Sequence, residues 1–179
     1  MNFTPFPIMT TERLVLRQIT EGDMAEFFIL KSDERLLKGY DAKPKTYEEA
    51  YKKLQNDTAD ILRNECIIWG IALKTDNKLI GSICFWNIDE EKRTAEIGYE
   101  LMTEHQGKGI MQEAIRAVIG YGFVEMQLQL IEAFPNPANA SSVKLLEKGG
   151  FVRGEVFHET EPSSGRLLDR VVYTLANPQ

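Results

Sequence analysis

Three strand-like segments, residues 67–74, 79–88 and 94–102, follow one another with only short connections. Connections that short force neighbouring strands to run antiparallel. Asp76-Asn77 gives a tight-turn signal between the first two, and the charged stretch 89–93 joins the second to the third. Residues 107–126 then carry Ile110, Ala114, Ile115, Val118, Ile119 and Phe123 at helical spacing. An apolar run, 128–134, ends at Pro135 and reads as a buried strand. A helix of crossover length between two strands makes them parallel. A meander that continues into a crossover therefore fixes a mixed sheet with helices on its faces.

The remaining segments complete that α/β (α+β) reading. Residues 12–19 alternate as a strand, and Thr20 with Asp23 gives a near capping-box start to a helix over 24–31. Thr46 opens a second helix to about residue 63, and 32–45, with Gly39 and Pro44, reads as loop. Asn139 is an N-cap for a helix over 139–148 that ends at Gly149-Gly150. Residues 151–159 and 166–175 read as two closing strands around a turn at 162–165. The order is β-α-α-β-β-β-α-β-α-β-β, about seven strands. Residues 1–10 read as an N-terminal tail, and 11–177 as one domain, in keeping with a length of 179 residues.

Composition narrows the function. Asp and Glu number 27 against 21 Lys and Arg, a net charge of −6, so the basic footprint of a nucleic-acid binder is absent. An acidic surface suits a cationic substrate such as an amine. Cys66 and Cys84 do not make a disulfide framework and read as two reduced, buried thiols. No basic leader with a long apolar run opens the chain, and no run of 18 apolar residues occurs, so a cytoplasmic protein with no membrane partner is expected. His105 and His158 are the only histidines and do not suggest a metal site.

Between the third meander strand and the following helix runs Gln106-Gly107-Lys108-Gly109-Ile110-Met111-Gln112. Glycines let a backbone approach a ligand, and a helix N-terminus offers unpaired N–H groups to a phosphate. Spacing alone also allows a tight turn with no ligand. The segment is neither GxGxxG nor a P-loop. Lys108 is either a phosphate partner or a solvated lysine. Asn139, Ser141 and Ser142 open the later helix after a strand, where they serve at least as caps.

Taken together, these segments resemble the GNAT superfamily of acetyl-CoA-dependent N-acetyltransferases. Within it the chain looks like the RimJ/RimL-type branch, named for ribosomal-protein N-terminal acetyltransferases. The resemblance is carried by residues 10–17, Ile80-Gly81-Ser82-Ile83, Ala95-Glu96-Ile97-Gly98-Tyr99, residues 106–114 and residues 139–151, in the family's order. Glu104 stands where the family's pyrophosphate loop usually begins with Gln or Arg. The resemblance implies a sheet splayed open between the strand ending at Met102 and the strand 128–134. The pantetheine arm of acetyl-CoA would lie in that gap against Leu101 and Met102. The pyrophosphate would sit on the amides of residues 107–112, and Asn139 would touch the pantetheine arm or acetyl end.

The implied reaction is direct attack of a primary amine on the thioester, with no metal. An α-amine, with a pKa near ~8, needs less help from a base than a lysine amine near ~10.4. Glu96, on the strand entering the gap, is the first candidate base; Glu100, of the same strand parity, is the second. A backbone N–H near Leu101 or Met102 would meet the oxyanion. Many superfamily members carry a tyrosine acid on the helix after Asn139, but residues 140–148 contain none. Ser142 falls where the RimJ/RimL branch has a serine proposed as the acid. A protein N-terminus is the favoured acceptor; a small amine or a non-catalytic acyl-CoA sensor are the alternatives. Residues 32–45, the first two helices and the hairpin 159–170 would shape the acceptor pocket, with Tyr40 and Trp86 in its wall. A monomer or a homodimer fits equally.

Overall fold

The computed structural model describes residues 1–162 and 164–178. Among them, eight strands form one sheet: β1 (Met9–Thr10), β2 (Leu14–Arg17), β3 (Ile67–Leu73), β4 (Leu79–Asp89), β5 (Thr94–Leu101), β6 (Leu130–Ala133), β7 (Val152–Thr160) and β8 (Leu167–Ala176). Their spatial order is β1-β2-β3-β4-β5-β6-β8-β7. Every adjacent pair is antiparallel except β5 and β6. The parallel crossover expected after the meander is therefore present. The expected turn at 162–165 includes Ser163, which lies outside the described residues.

Strand alternation sets the two faces. On β5, Ala95, Ile97 and Leu101 are buried in the larger core with Ile67, Trp69 and Ile71 of β3. Two helices close that face: α4 (Ile110–Val124), through Ile110, Ala114, Ile115 and Val118, and α5 (Ala140–Lys148), through Leu146. A second core forms on α1 (Met24–Ser32), α2 (Glu34–Leu37) and α3 (Tyr47–Leu62), which bury Phe27, Leu30, Leu36 and Leu54 with Leu79 of β4. Helices thus cover both faces. Thr46 starts α3 with a capping box: its Oγ1 accepts from Glu49 N–H at 3.2 Å, and Glu49 Oε2 accepts from Thr46 N–H at 2.8 Å.

Two segments differ from expectation. Residues 1–10 read as a loose tail, yet Phe3 is buried, the Trp69 indole donates to the Pro7 carbonyl at 2.7 Å, and Met9–Thr10 pairs with β2 as an eighth strand. A buried indole needs an acceptor, and an edge strand offers free backbone groups; both draw the segment in. Residues 32–45 read as loop, yet they begin with α2, capped by Asp33, whose side chain accepts from Arg35 N–H at 3.0 Å. The Gly39 and Pro44 signals act only beyond it.

The seam between β5 and β6 is short. Thr94, Ala95 and Glu96 pair with Leu130, Ile131 and Glu132, and the pairing ends there, although β5 continues to Leu101. The sheet is splayed as expected.

Candidate active site

The turn after β5 is built from glycines in a conformation other residues resist. Gly107 has φ +74° and Gly109 φ +75°, the left-handed region. A Cβ added at Gly107 would meet no protein atom within 4 Å, so that side of the turn is open, and Gly107 lines a cavity. Gly109 is the N-cap of α4 and supplies no side chain to cap it. The first N–H groups of α4 therefore have no acceptor within the helix or from its cap. Gln112, in the first turn, has a buried Nε2 with no protein partner. A glycine cradle, an uncapped helix start and an orphaned amide together fit a phosphate-bearing ligand.

Two residues that the sequence reading passed over hold this turn. Arg13 Nη1 donates to the Lys108 carbonyl at 2.9 Å, and Arg13 Nε binds Glu113 Oε2 at 2.7 Å. Glu113 Oε1 also accepts from the Arg13 N–H at 2.8 Å and from the Thr11 hydroxyl at 2.5 Å. The segment between β1 and β2 thus clamps the glycine turn. Lys108 keeps an exposed side chain and contributes its carbonyl to that clamp. Gln106 is exposed, and its Nε2 donates to the Leu101 carbonyl at 2.8 Å.

The β5 backbone separates two expected roles. Met102 N–H donates to the Ile80 carbonyl at 2.9 Å, so it is not free for an oxyanion. Backbone groups alternate sides along a strand, so Leu101 and Tyr99 turn theirs away from β4 toward the gap. Of the two expected oxyanion donors, only Leu101 is oriented for the role.

Two cavities meet at the gap. One, of about 330 Å³, contains Leu101, the glycine turn, Ile110, Met111 and Gln112 on one side and α5 on the other. The second, of about 430 Å³, holds Glu96 with Trp86, Phe134, Phe157 and Arg170. Tyr40, Asn139 and Ser142 belong to both. Tyr40 and Trp86 are wall residues as expected. The helices α1 and α3 are not, because their apolar sides pack into the second core. The turn after α2 and the 134–136 segment take that place.

Asn139 bridges the two sides. Its Oδ1 accepts from Ser142 N–H at 3.2 Å and from the Ser141 hydroxyl at 2.9 Å, capping α5, while its Nδ2 donates to the Gly39 carbonyl at 2.9 Å. Ser142 is a buried polar residue, 7% exposed, with its Oγ 2.6 Å from the Tyr99 hydroxyl. Burial pushes the Tyr99 phenol up to about 12, against the lowering effect of Ser142.

The two candidate bases have different surroundings. Burial pushes the Glu96 carboxyl up to about 7; a hydrogen bond from Asn87 Nδ2 at 3.0 Å opposes this, Glu132 and Glu159 add to it, and Arg170 opposes it. A carboxylate titrating near neutrality suits proton abstraction. Glu100 lines neither cavity. Its Oε1 sits 2.5 Å from Lys31 Nζ and accepts from the Ser82 hydroxyl at 3.1 Å. Burial of Lys31 disfavours its charge, but Glu100 outweighs this and holds the ammonium above its ordinary range. Glu100 shares the strand parity of Glu96, but Lys31 of α1 holds it in an ion pair.

The rim of the larger cavity is also charged. Arg170 Nη1 binds Asp41 Oδ2 at 3.0 Å, and its Nε lies 3.3 Å from Glu159 Oε2. Asn136 Nδ2 donates to the same Asp41 oxygen at 3.2 Å. No group of three or more His, Cys, Asp or Glu among the described residues could hold a metal ion. No helix among them is long and apolar enough to cross a membrane.

Residues 13–152 match the model of the acetyltransferase (GNAT) domain. An uncharacterised N-acetyltransferase of Bacillus subtilis strain 168, YoaA, is 34% identical over 175 residues, 97% of this chain and 99% of the relative. The crystal structure of ribosomal-protein-S5-alanine acetyltransferase from Vibrio fischeri superimposes with a TM-score of 0.81 at 24% identity, covering 97% of this chain and 98% of that one. Spermidine N-acetyltransferase from Vibrio cholerae, in complex with CoA and spermine, gives a TM-score of 0.80 at 24% identity, over 93% and 97%.

Proposed function

The chain belongs to the GNAT acetyltransferase family, and on that premise we propose that it moves the acetyl group of acetyl-CoA to a primary amine by direct attack. The observation that carries this reading is the meeting of two cavities at Ser142, one edged by an uncapped helix start and the other holding a carboxyl near neutrality. The bound thioester supplies an activated acetyl group. Gly107, Lys108, Gly109, Ile110, Met111 and Gln112 hold its pyrophosphate through backbone N–H groups, and Leu101 and Met102 border its pantetheine arm. Asn139 keeps α5 in place beside the acetyl end.

The amine enters the larger cavity. Glu96, ionised above about pH 7, takes the proton that the attacking nitrogen loses. The Leu101 N–H, turned into the gap, meets the developing oxyanion. A protein N-terminus is the favoured acceptor, since an α-amine near ~8 matches a base near neutrality. A small cationic amine is the second reading, favoured by Glu96 and Glu159 against Arg170 among the residues lining the cavity. A protein that binds acetyl-CoA without turnover is the third.

Free-thiol release from acetyl-CoA, measured with N-terminal peptides, polyamines, amino acids and amine antibiotics, separates these readings. Release with peptides alone is the expected result. Release with polyamines alone selects the small-amine reading. Calorimetric binding of acetyl-CoA with no release for any acceptor selects the sensor. Absence of acetyl-CoA binding overturns all three.

A further inference from the structure

The Tyr99–Ser142 pair has a proton to spare. Each hydroxyl carries one O–H, and the 2.6 Å contact between them consumes one. The second O–H has no acceptor among the described hydrogen bonds, and Ser142 is 7% exposed. Both residues line the cavity of the glycine turn, and Ser142 also lines the cavity of Glu96. Burial keeps the Tyr99 phenol protonated well above neutrality, so it remains a donor. A phenol is a stronger donor than an aliphatic alcohol. With Tyr99 donating to Ser142 Oγ, the serine O–H is left to donate to a ligand in the two cavities that Ser142 lines.

We propose that Tyr99 is a positioning residue for the leaving group: it fixes the Ser142 hydroxyl so that the serine O–H donates a hydrogen bond to the thiolate sulfur released from acetyl-CoA. The inference rests on the acetyl-transfer reading above. As the amine nitrogen bonds to the acetyl carbon, the carbon–sulfur bond breaks and its electron pair stays on sulfur. The nitrogen's proton goes to Glu96, and sulfur leaves as a thiolate held by Ser142. Neither hydroxyl is consumed. Tyr99 sits on β5 and Ser142 on α5, so the pair also spans the splayed seam. A tether alone would need the contact but not the spare proton.

The test titrates CoA itself, so no acceptor need be known. The ultraviolet absorbance of the thiolate is followed against pH for CoA bound to the parent protein and to Tyr99→Phe, Ser142→Ala and the double variant. Calorimetry at each step confirms that CoA is bound. In the parent, the bound thiol should titrate below the ~8.5 of a free thiol. Ser142→Ala and Tyr99→Phe should each reduce the thiolate fraction at neutral pH by about tenfold, as loss of one hydrogen bond to a charged atom predicts. The double variant should add little, because the two act as one unit. Lys144 and Lys148 line the same cavity and are unchanged throughout, so differences between variants report the hydroxyls. Ser142→Thr, which keeps a hydroxyl, should titrate with the parent.

A Tyr99→Phe titration that matches the parent, while Ser142→Ala shifts, reduces Tyr99 to a tether and overturns the proposal. Parent-like titration in every variant overturns it as well. Failure of the parent to bind CoA would instead overturn the acetyl-transfer reading, a distinct outcome.

Discussion

The cavity at the glycine turn takes nearly all its wall from two continuous stretches of chain, residues 99–112 and 139–148. The cavity around Glu96 is assembled from β4, β5, β7 and β8, the turn after α2 and the segment between β6 and α5. The first offers backbone N–H groups at a helix start, which any sequence with glycines in the right place can provide. The second offers side chains, Glu96, Glu159, Arg170 and aromatic rings, whose neighbours are far apart in the chain. On the proposed reading, a shared ligand meets local backbone and a variable acceptor meets side chains brought together by the fold.

The sharpest way to break that division is Glu96→Gln. It should lower kcat by about 100–1000-fold, the usual scale of a general base, while calorimetric affinity for acetyl-CoA stays the same. In the parent, kcat/KM should rise as pH climbs through about 7, and the variant should lose that rise. Stability should move the other way. Glu96 is held neutral in the fold at pH values where the unfolded carboxyl is already ionised. The folded state therefore loses stability as pH rises from about 4.5 to about 7, and Glu96→Gln should be more stable above that window, by about 1 kcal/mol in urea unfolding once solvent screening of this partly exposed carboxyl is allowed for. Equal stability at high pH would mean the carboxyl is not desolvated.

Gly107→Val tests the other side. A β-branched residue at φ +74° carries backbone strain, and its side chain would project into the open space of the proposed cofactor cavity. Acetyl-CoA affinity should fall by about 50–100-fold, the equivalent of some 2–3 kcal/mol of strain and lost contacts. Unchanged affinity would show that the turn holds nothing.

Arg13→Ala sharpens the comparison more gently. Losing the bonds to Lys108 and Glu113 loosens the turn without touching the acceptor cavity. The KM for acetyl-CoA should rise about 3–10-fold with kcat nearly constant, in line with one or two partly exposed hydrogen bonds. A fall in kcat alone would contradict the clamp.

The smallest expected effect is at Arg170. Its positive charge lowers the Glu96 carboxyl, so Arg170→Gln should move the kinetic midpoint near pH 7 upward by a fraction of a unit. A downward move would mean that Arg170 does not face Glu96.

The glycine turn was legible in the sequence for the same reason that its cavity is local. Gly107, Gly109 and the apolar stripe from Ile110 announce a strand, a left-handed turn and a helix within one window. Asn139 was legible as a cap, and Thr46 likewise. The clamp was hidden because Arg13 and Glu113 lie 100 residues apart. The same holds for Tyr99 reaching Ser142 and for Arg170 reaching Asp41. Glu100 shows the limit most plainly. Strand parity put it beside Glu96, but only the packing of α1 reveals Lys31 against it. The strand β1 was missed because two residues carry no periodicity; its signal is the open edge of β2 and the buried indole of Trp69.

The short pairing between β5 and β6 has a mechanical consequence. Three rungs at Thr94, Ala95 and Glu96 hold β5 to β6, and beyond them β5 runs on for about 17 Å, at the usual rise per residue, to Leu101 with β4 as its one strand partner among the described residues. The proposed base, Glu96, stands at the last rung and the proposed oxyanion donor, Leu101, at the far end. The β4 partners from Gly81 to Trp86 therefore fix the spacing of both ends, while the β6 side of the same stretch is left open to a ligand.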